Sequence, residues 1–227
     1  MVGTGVALAF PNDGASWDAT ESPNRRMMIL GDSLVVQSGP AAQALAAQRE
    51  HVLEVRTVNG GAPCDLTPSY GGWATAFRPQ AVAFAFVGNA TSACMHAETG
   101  MSSTPARLTA AQVAAITAAY RKHLLTLIRW NQARGIESWL IAPPIMAAGT
   151  WHGQMNASLT TMYRDLAAAA GARYSSSGRS LLAPSGVFVA TIAGLPVRHS
   201  DGTHLRAPYG TTLHATGLLS GVMTGNP

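Results

Sequence analysis

The apolar residues of this chain fall into short blocks, closed off by glycine, proline and asparagine. Arg26 to Leu30 (RMMIL) reads as a short buried strand ending at Gly31. Pro40 to Glu50 is alanine-rich and helical, with the helix expected to begin soon after Ser33. His51 to Val58 alternates in part between apolar and polar positions and stops at Asn59-Gly60-Gly61. Ala81 to Val87 (AVAFAFV) is apolar throughout, the pattern of a central strand covered on both faces, and stops at Gly88-Asn89. Leu108 to Arg134 carries Val113, Ile116, Ala119, Leu124 and Leu127 at helical spacing, with Thr109 as a cap and Gly135 as a stop. Ser138 to Ile141 reads as a strand before Pro143-Pro144, and Leu159 to Ala170 as a helix. Tyr174 to Pro196 is loop-rich, with a short strand expected over Val187 to Ile192. A last helix is expected over Pro208 to Val222, although Gly210, Gly217 and Gly221 argue against it.

Strands and helices alternate, which implies a parallel sheet with helices on both faces. No internal repeat or linker interrupts the pattern. The expectation is one domain over residues 26–227, preceded by a leader over 1–25. In such sheets the ligand site lies at the carboxyl ends of the strands. Gly31-Asp32-Ser33, Asn59-Gly60-Gly61 and Gly88-Asn89 all fall at that edge.

Composition narrows the class. Of 227 residues, 47% are hydrophobic and 11% charged, so a packed core is expected and disorder is not. The net charge of +4 comes without a basic run, and aromatic and basic residues do not interleave as a nucleic-acid groove requires. No stretch reaches the roughly 18 apolar residues of a membrane span, so no transmembrane segment is expected. Val2 to Phe10, with Ala7-Leu8-Ala9, reads as the end of a signal peptide or as an ordinary apolar leader. The two cysteines, Cys64 and Cys94, fit no metal-site spacing. In an exported protein they suggest one disulfide, the alternative being two buried thiols. A secreted or envelope-associated protein is the expectation.

Ser33 follows a buried strand through Gly31-Asp32, where a serine is exposed near the free N–H groups of a helix start. A serine hydroxyl is a poor nucleophile without a base, and the usual base is a histidine held by a carboxylate. Among seven histidines, His204 has that partner at a suitable spacing, in Asp201-Gly202-Thr203-His204. Gly202 permits the tight turn that brings the Asp201 carboxylate to the ring. Taken alone, each segment is also compatible with a plain surface turn.

Together they resemble the SGNH (GDSL) family of esterases and lipases. Gly31-Asp32-Ser33-Leu34 resembles the block holding the nucleophile, Gly88-Asn89 the block holding an oxyanion-binding asparagine, and Asp201-Gly202-Thr203-His204 the block holding the base. The resemblance implies a three-layer α/β/α sandwich of flavodoxin-like type, with a parallel sheet of about five strands. It implies Ser33 as nucleophile, His204 as general base and Asp201 as the residue that orients it. The oxyanion would be held by the Ser33 N–H, the Asn89 amide and one further backbone N–H. That last donor falls on Cys64 by spacing or on Gly61 by residue type, since Pro63 has no N–H. Asp32 is expected to shape the turn. No metal or organic cofactor is implied. The substrate is expected to be a small-molecule or glycan ester with a short acyl or acetyl group. An O-acyltransferase with the same triad, or a non-catalytic ligand-binding domain, are the alternatives. Trp73, Phe77, Met95, Met101 and Trp151 are expected in loops near the cleft, to cradle an acyl chain, stack on a sugar or simply anchor those loops.

Overall fold

A computed structural model describes residues 24–224 except 102 and 104, and the apolar leader over Val2 to Phe10 lies outside them. The five main strands are β1 (Arg26–Gly31), β2 (Val52–Thr57), β3 (Ala81–Ala85), β4 (Glu137–Ile141) and β5 (Arg173–Ser175), all parallel, in the order β2-β1-β3-β4-β5. A short antiparallel hairpin, β6 (Thr191–Ile192) and β7 (Leu195–Pro196), stands apart. The helices are α1 (Ser33–Ala47), α2 (Pro63–Phe77), α3 (Ala93–Thr99), α4 (Ala110–Gln132), α5 (Trp151–Ala170), α6 (Ser177–Leu182) and α7 (Tyr209–Thr224).

The pleat of β1 sorts its side chains between two cores. Met28 and Leu30 join Val82, Phe84 and Leu140 under α2, α4 and α5. Met27 and Ile29 join Ala81, Ala83, Trp139 and Ile141 under α1 and α7. The three-layer sandwich with a five-stranded parallel sheet is therefore present. None of the described helices is long and apolar enough to cross a membrane.

Several elements differ from the sequence reading, among them the loops expected at Met95 and within Tyr174 to Pro196, where helices α3 and α6 form. The segment holding Trp73 and Phe77 is helix α2, not a loop; Pro63 sits in its first turn, where the missing N–H costs nothing, although Pro68 lies within. Helix α5 begins at Trp151, eight residues before the expected start, because the Thr150 hydroxyl caps it by accepting from the Gly153 N–H at 2.9 Å. The strand expected over Val187 to Ile192 shrinks to β6. Gly210 and Gly217 do not break α7, because they let other segments approach. A Cβ on Gly217 would lie 2.2 Å from Gly178 Cα, and one on Gly210 2.0 Å from the Val197 carbonyl oxygen.

The strand order reverses between β1 and β3, neighbours in register with Gly31 opposite Ala85. Chain leaving these two strands turns to opposite faces, the arrangement that in such sheets places the ligand crevice at their carboxyl ends.

Candidate active site

Each flank of that crevice is built from the strand end outward. β1 closes on Gly31, where a Cβ would lie 2.6 Å from the Ala85 carbonyl oxygen, so only glycine lets the two strand ends lie this close. Asp32 caps α1, accepting from the Leu34 N–H at 3.1 Å. Its other carboxylate oxygen accepts from the Val87 N–H at 2.7 Å and from Asn89 Nδ2 at 3.1 Å. Asp32 thus ties the end of β1 to the chain leaving β3. Its side chain is fully buried, and burial raises its pKa to about 7 against the lowering effect of those N–H donors. Ser33 is the first residue of α1 and is half-buried, with its N–H in the turn where helical N–H groups lack helical acceptors.

Asn89 is held through every polar atom of its side chain. Nδ2 donates to Asp32 and, at 3.0 Å, to the Gly61 carbonyl. Oδ1 lies 3.0 Å from His152 Nε2. Its backbone carbonyl accepts from the Tyr120 hydroxyl at 2.8 Å. The Gly61 N–H donates to the Val58 carbonyl at 3.0 Å and is committed to its own turn. Cys64, next to Pro63 in the first turn of α2, has an N–H that makes no hydrogen bond among the described residues. Cys64 and Cys94 are joined by a disulfide with Cα atoms 6.0 Å apart, tying α2 to α3. Cys64, Asp65 and Cys94 offer metal-ligand atoms within 4.8 Å of one another, but the two sulfurs are bonded to each other and are not free to ligate.

On the other flank, Asp201 Oδ1 accepts from the N–H groups of Thr203 and His204, both at 2.9 Å, and Oδ2 lies 2.7 Å from His204 Nδ1. Burial works to raise the Asp201 pKa, but the Thr203 N–H and the His204 ring and N–H outweigh it and hold the carboxyl down at about 2. Gly202 makes the turn at φ +71°, and a Cβ there would also lie 2.5 Å from Ala147 Cβ. The loop is pinned from below by Arg198, a buried guanidinium donating to the Thr203 carbonyl at 2.7 Å and the Ile145 carbonyl at 3.0 Å. It is pinned to α1 by the Leu205 N–H, which donates to Gln37 Oε1 at 3.0 Å, one helical turn beyond Ser33. Among the described residues no hydrogen bond joins Ser33 to His204.

The aromatic and methionine residues expected at the cleft belong to the core. Met95 and Met101 are buried, and Trp73 and Phe77 pack against the same cluster, under the guanidinium groups of Arg56 and Arg26. The Trp151 indole N–H donates to the Gly88 carbonyl at 2.9 Å. Two residues matter to the geometry beyond the sequence reading: Arg198, which no motif marks, and His152, one of the histidines without a carboxylate at the spacing of Asp201 and His204. His152 meets Asn89 across 63 positions of chain, and no spacing rule reaches that far. The sequence offers only Thr150 as a cap, which would have put Trp151 and His152 in the first turn of a helix.

Solved structures resemble this architecture at low identity, which speaks to the fold alone. A lipase/acylhydrolase from Enterococcus faecalis matches at 17% identity with a TM-score of 0.61, over 88% of this chain and 96% of that one. An acetylxylan esterase from Geobacillus stearothermophilus matches at 11% with a TM-score of 0.60, over 91% and 96%. An alpha/beta hydrolase enzyme from the metagenome of Lake Arreo, Spain, matches at 14% with a TM-score of 0.63, over 90% and 96%. No curated protein matches the chain by sequence. The family model described as "Protein of unknown function (DUF459)" matches residues 26–220, nearly all of the described chain, so the protein belongs to that family and carries the SGNH (GDSL) hydrolase fold.

Proposed function

We propose that the protein is a serine ester hydrolase that cleaves short acyl or acetyl esters through an acyl-serine intermediate, with Ser33 as nucleophile, His204 as general base and Asp201 orienting the base. The observation that carries this reading is the 2.7 Å contact between Asp201 and His204 Nδ1, which leaves Nε2 as the working nitrogen of a loop tied to α1 one turn from Ser33. His204 Nε2 takes the hydroxyl proton as Ser33 Oγ bonds to the ester carbonyl carbon. The carbonyl electron pair moves onto oxygen, and the resulting oxyanion lies among the Ser33 N–H, the Asn89 amide and a backbone N–H of the α2 turn. We assign that last donor to Cys64, because the Gly61 N–H is already given to Val58. The oxyanion collapses, the alcohol leaves with the proton from His204, and water repeats the sequence to release the acid. No step needs a metal or an organic cofactor.

The esterase and acylhydrolase names carried by the structural neighbours support the reaction class, and the acetylxylan esterase among them supports a small acyl group on a glycan. A fluorophosphonate should label Ser33, and Ser33→Ala should abolish both the label and the hydrolysis of nitrophenyl acetate while the fold persists. An active Ser33→Ala protein would overturn the assignment. In an ester series of increasing acyl length, turnover should peak at two to four carbons. Adding a sugar acceptor separates the alternative, since an O-acyltransferase would transfer the acyl group to the sugar faster than to water.

A further inference from the structure

The carboxyl-edge crevice contains a histidine that the reaction above does not use. We propose that His152 is a positioning residue, which holds the Asn89 side chain in its oxyanion-binding orientation and couples it to the loop carrying the base; this rests on the ester-hydrolase reading.

The hydrogen-bond inventory forces the arrangement. The Gly61 carbonyl can only accept, and the Asp32 oxygen facing Asn89 also receives the Val87 N–H. The amide nitrogen of Asn89 must therefore face both, and its oxygen must face His152. An amide oxygen only accepts, so His152 Nε2, at 3.0 Å, must carry a hydrogen. Burial, followed by the nearby His204, pushes the His152 pKa down to about 4, so the ring is neutral at neutral pH. A neutral ring with its proton on Nε2 has an acceptor at Nδ1. The Thr203 hydroxyl lies 3.3 Å from that nitrogen and donates to it. The chain runs Thr203 hydroxyl to His152 to Asn89 oxygen, with Thr203 standing between Asp201 and His204 in sequence.

The ring is in turn well seated. It occupies the first turn of α5, where the Thr150 cap fixes the helix start and a Cβ on Gly153 would lie 2.1 Å from the Ala147 carbonyl oxygen. The preceding residue, Trp151, holds the Gly88 carbonyl. One helix end thus grips the backbone at Gly88 and the side chain at Asn89.

Both amide hydrogens of Asn89 are engaged at rest, so one must leave Asp32 or Gly61 to meet an oxyanion. With the amide oxygen held by His152, the nitrogen can turn between those acceptors without the group flipping over. Donation into the amide oxygen also polarises the amide and strengthens its N–H donors. Without His152 the oxygen can rotate toward the crevice, where it would repel the developing charge.

Two measurements test this. In the first, the imidazole nitrogens of His152 are read by 15N NMR at pH 7 in the intact protein. We expect the neutral ring with the hydrogen on Nε2; a hydrogen on Nδ1 alone would overturn the proposal. This readout needs no catalysis. In the second, His152→Ala, His152→Gln, Asn89→Ala and the Asn89→Ala/His152→Ala pair are compared on nitrophenyl acetate, with melting curves to confirm folding. His152→Ala should lower kcat by about 10- to 100-fold, less than the roughly 100- to 1,000-fold typical of losing an oxyanion donor outright, with KM within about twofold. His152→Gln, which can still donate to the Asn89 oxygen, should recover most of that loss. The double variant should be no slower than Asn89→Ala, because His152 acts through Asn89. Multiplying losses in the double variant would mean a merely structural role. If the wild-type protein turns over no ester, the hydrolase reading fails, and the tautomer alone decides the place of His152.

Discussion

Asn89 has two amide hydrogens, engaged by Asp32 and Gly61, and on the proposed reading an incoming oxyanion is a third claimant for them. Interactions that form only as charge develops lower the barrier without tightening the substrate complex. Asn89→Ala should therefore cut kcat by about 10²- to 10³-fold and leave KM nearly unchanged. Steady-state kinetics on a short nitrophenyl ester checks this; a raised KM at constant kcat would make Asn89 a ground-state binder instead. At this scale the sequence was most informative where partners are close in the chain. Asp201 and His204 are three residues apart and do meet, at 2.7 Å. The rivalry between Gly61 and Cys64 stayed open because a backbone donor leaves no mark on residue identity. The turn geometry supports the proposed choice of Cys64, since the Gly61 N–H is given to the Val58 carbonyl.

At the scale of elements, the Cys64–Cys94 disulfide braces α2 and α3, the helices that follow β2 and β3. It closes a separation of 30 residues, which in chain-entropy terms stabilises the fold by about 3–4 kcal/mol. For a chain of this size that corresponds to a melting temperature higher by roughly 6–16 °C. Reduction, or the Cys64→Ala/Cys94→Ala pair, should remove that margin, and kcat should fall several-fold as the Cys64 N–H and Asn89 lose their fixed relation. Calorimetry and kinetics with and without reductant give the result, and intact mass after alkylation reports the bond. An unchanged kcat in the reduced, folded protein would confine the disulfide to stability. Helix α2 was hidden by its own composition, because Pro63, Pro68, Gly71 and Gly72 read as loop residues. α7 was nearly hidden for the same reason. Gly217 sits against Gly178 and Gly210 against Val197, so these two serve contacts with other segments and not a turn.

For the whole molecule, three buried groups shape the response to mild acid, above the range in which Asp201 takes up its proton. Burial lowers His152 to about 4 and His214 to about 3 from an ordinary 6.5, and raises Asp32 to about 7 from 3.8. As the pH falls below 6.5, the unfolded chain binds a proton at each histidine that the folded chain refuses, so stability is lost down to those folded values. Asp32 acts in the opposite sense, since between 3.8 and 7 the folded state keeps a proton the unfolded state has released. Two histidines against one aspartate leave a net loss of stability from about pH 6.5 to 4. The Ser38 hydroxyl gives its hydrogen to the Leu34 carbonyl, so His214 Nδ1, 2.8 Å away, donates to it, a contact an asparagine amide can imitate. His214→Asn should therefore flatten the dependence of melting temperature on pH across that window. Parallel curves for variant and wild type would show that His214 does not carry it.

The sequence by itself determined the alternation of strands and helices, the parallel sheet, and the three strand ends where Ser33, Gly61 and Asn89 lie. These follow from period and punctuation, which are local. It also determined the Asp201–His204 pair, because a three-residue turn is local too. Only the tertiary structure decided which chain ends become neighbours at the reversal between β1 and β3. The same packing commits the Gly61 N–H to a turn, draws Trp73, Phe77 and Met95 into the core, and sets His152 against Asn89. Those outcomes depend on elements tens of residues apart that must share one volume. Close packing settles them through contacts that no one-dimensional spacing encodes.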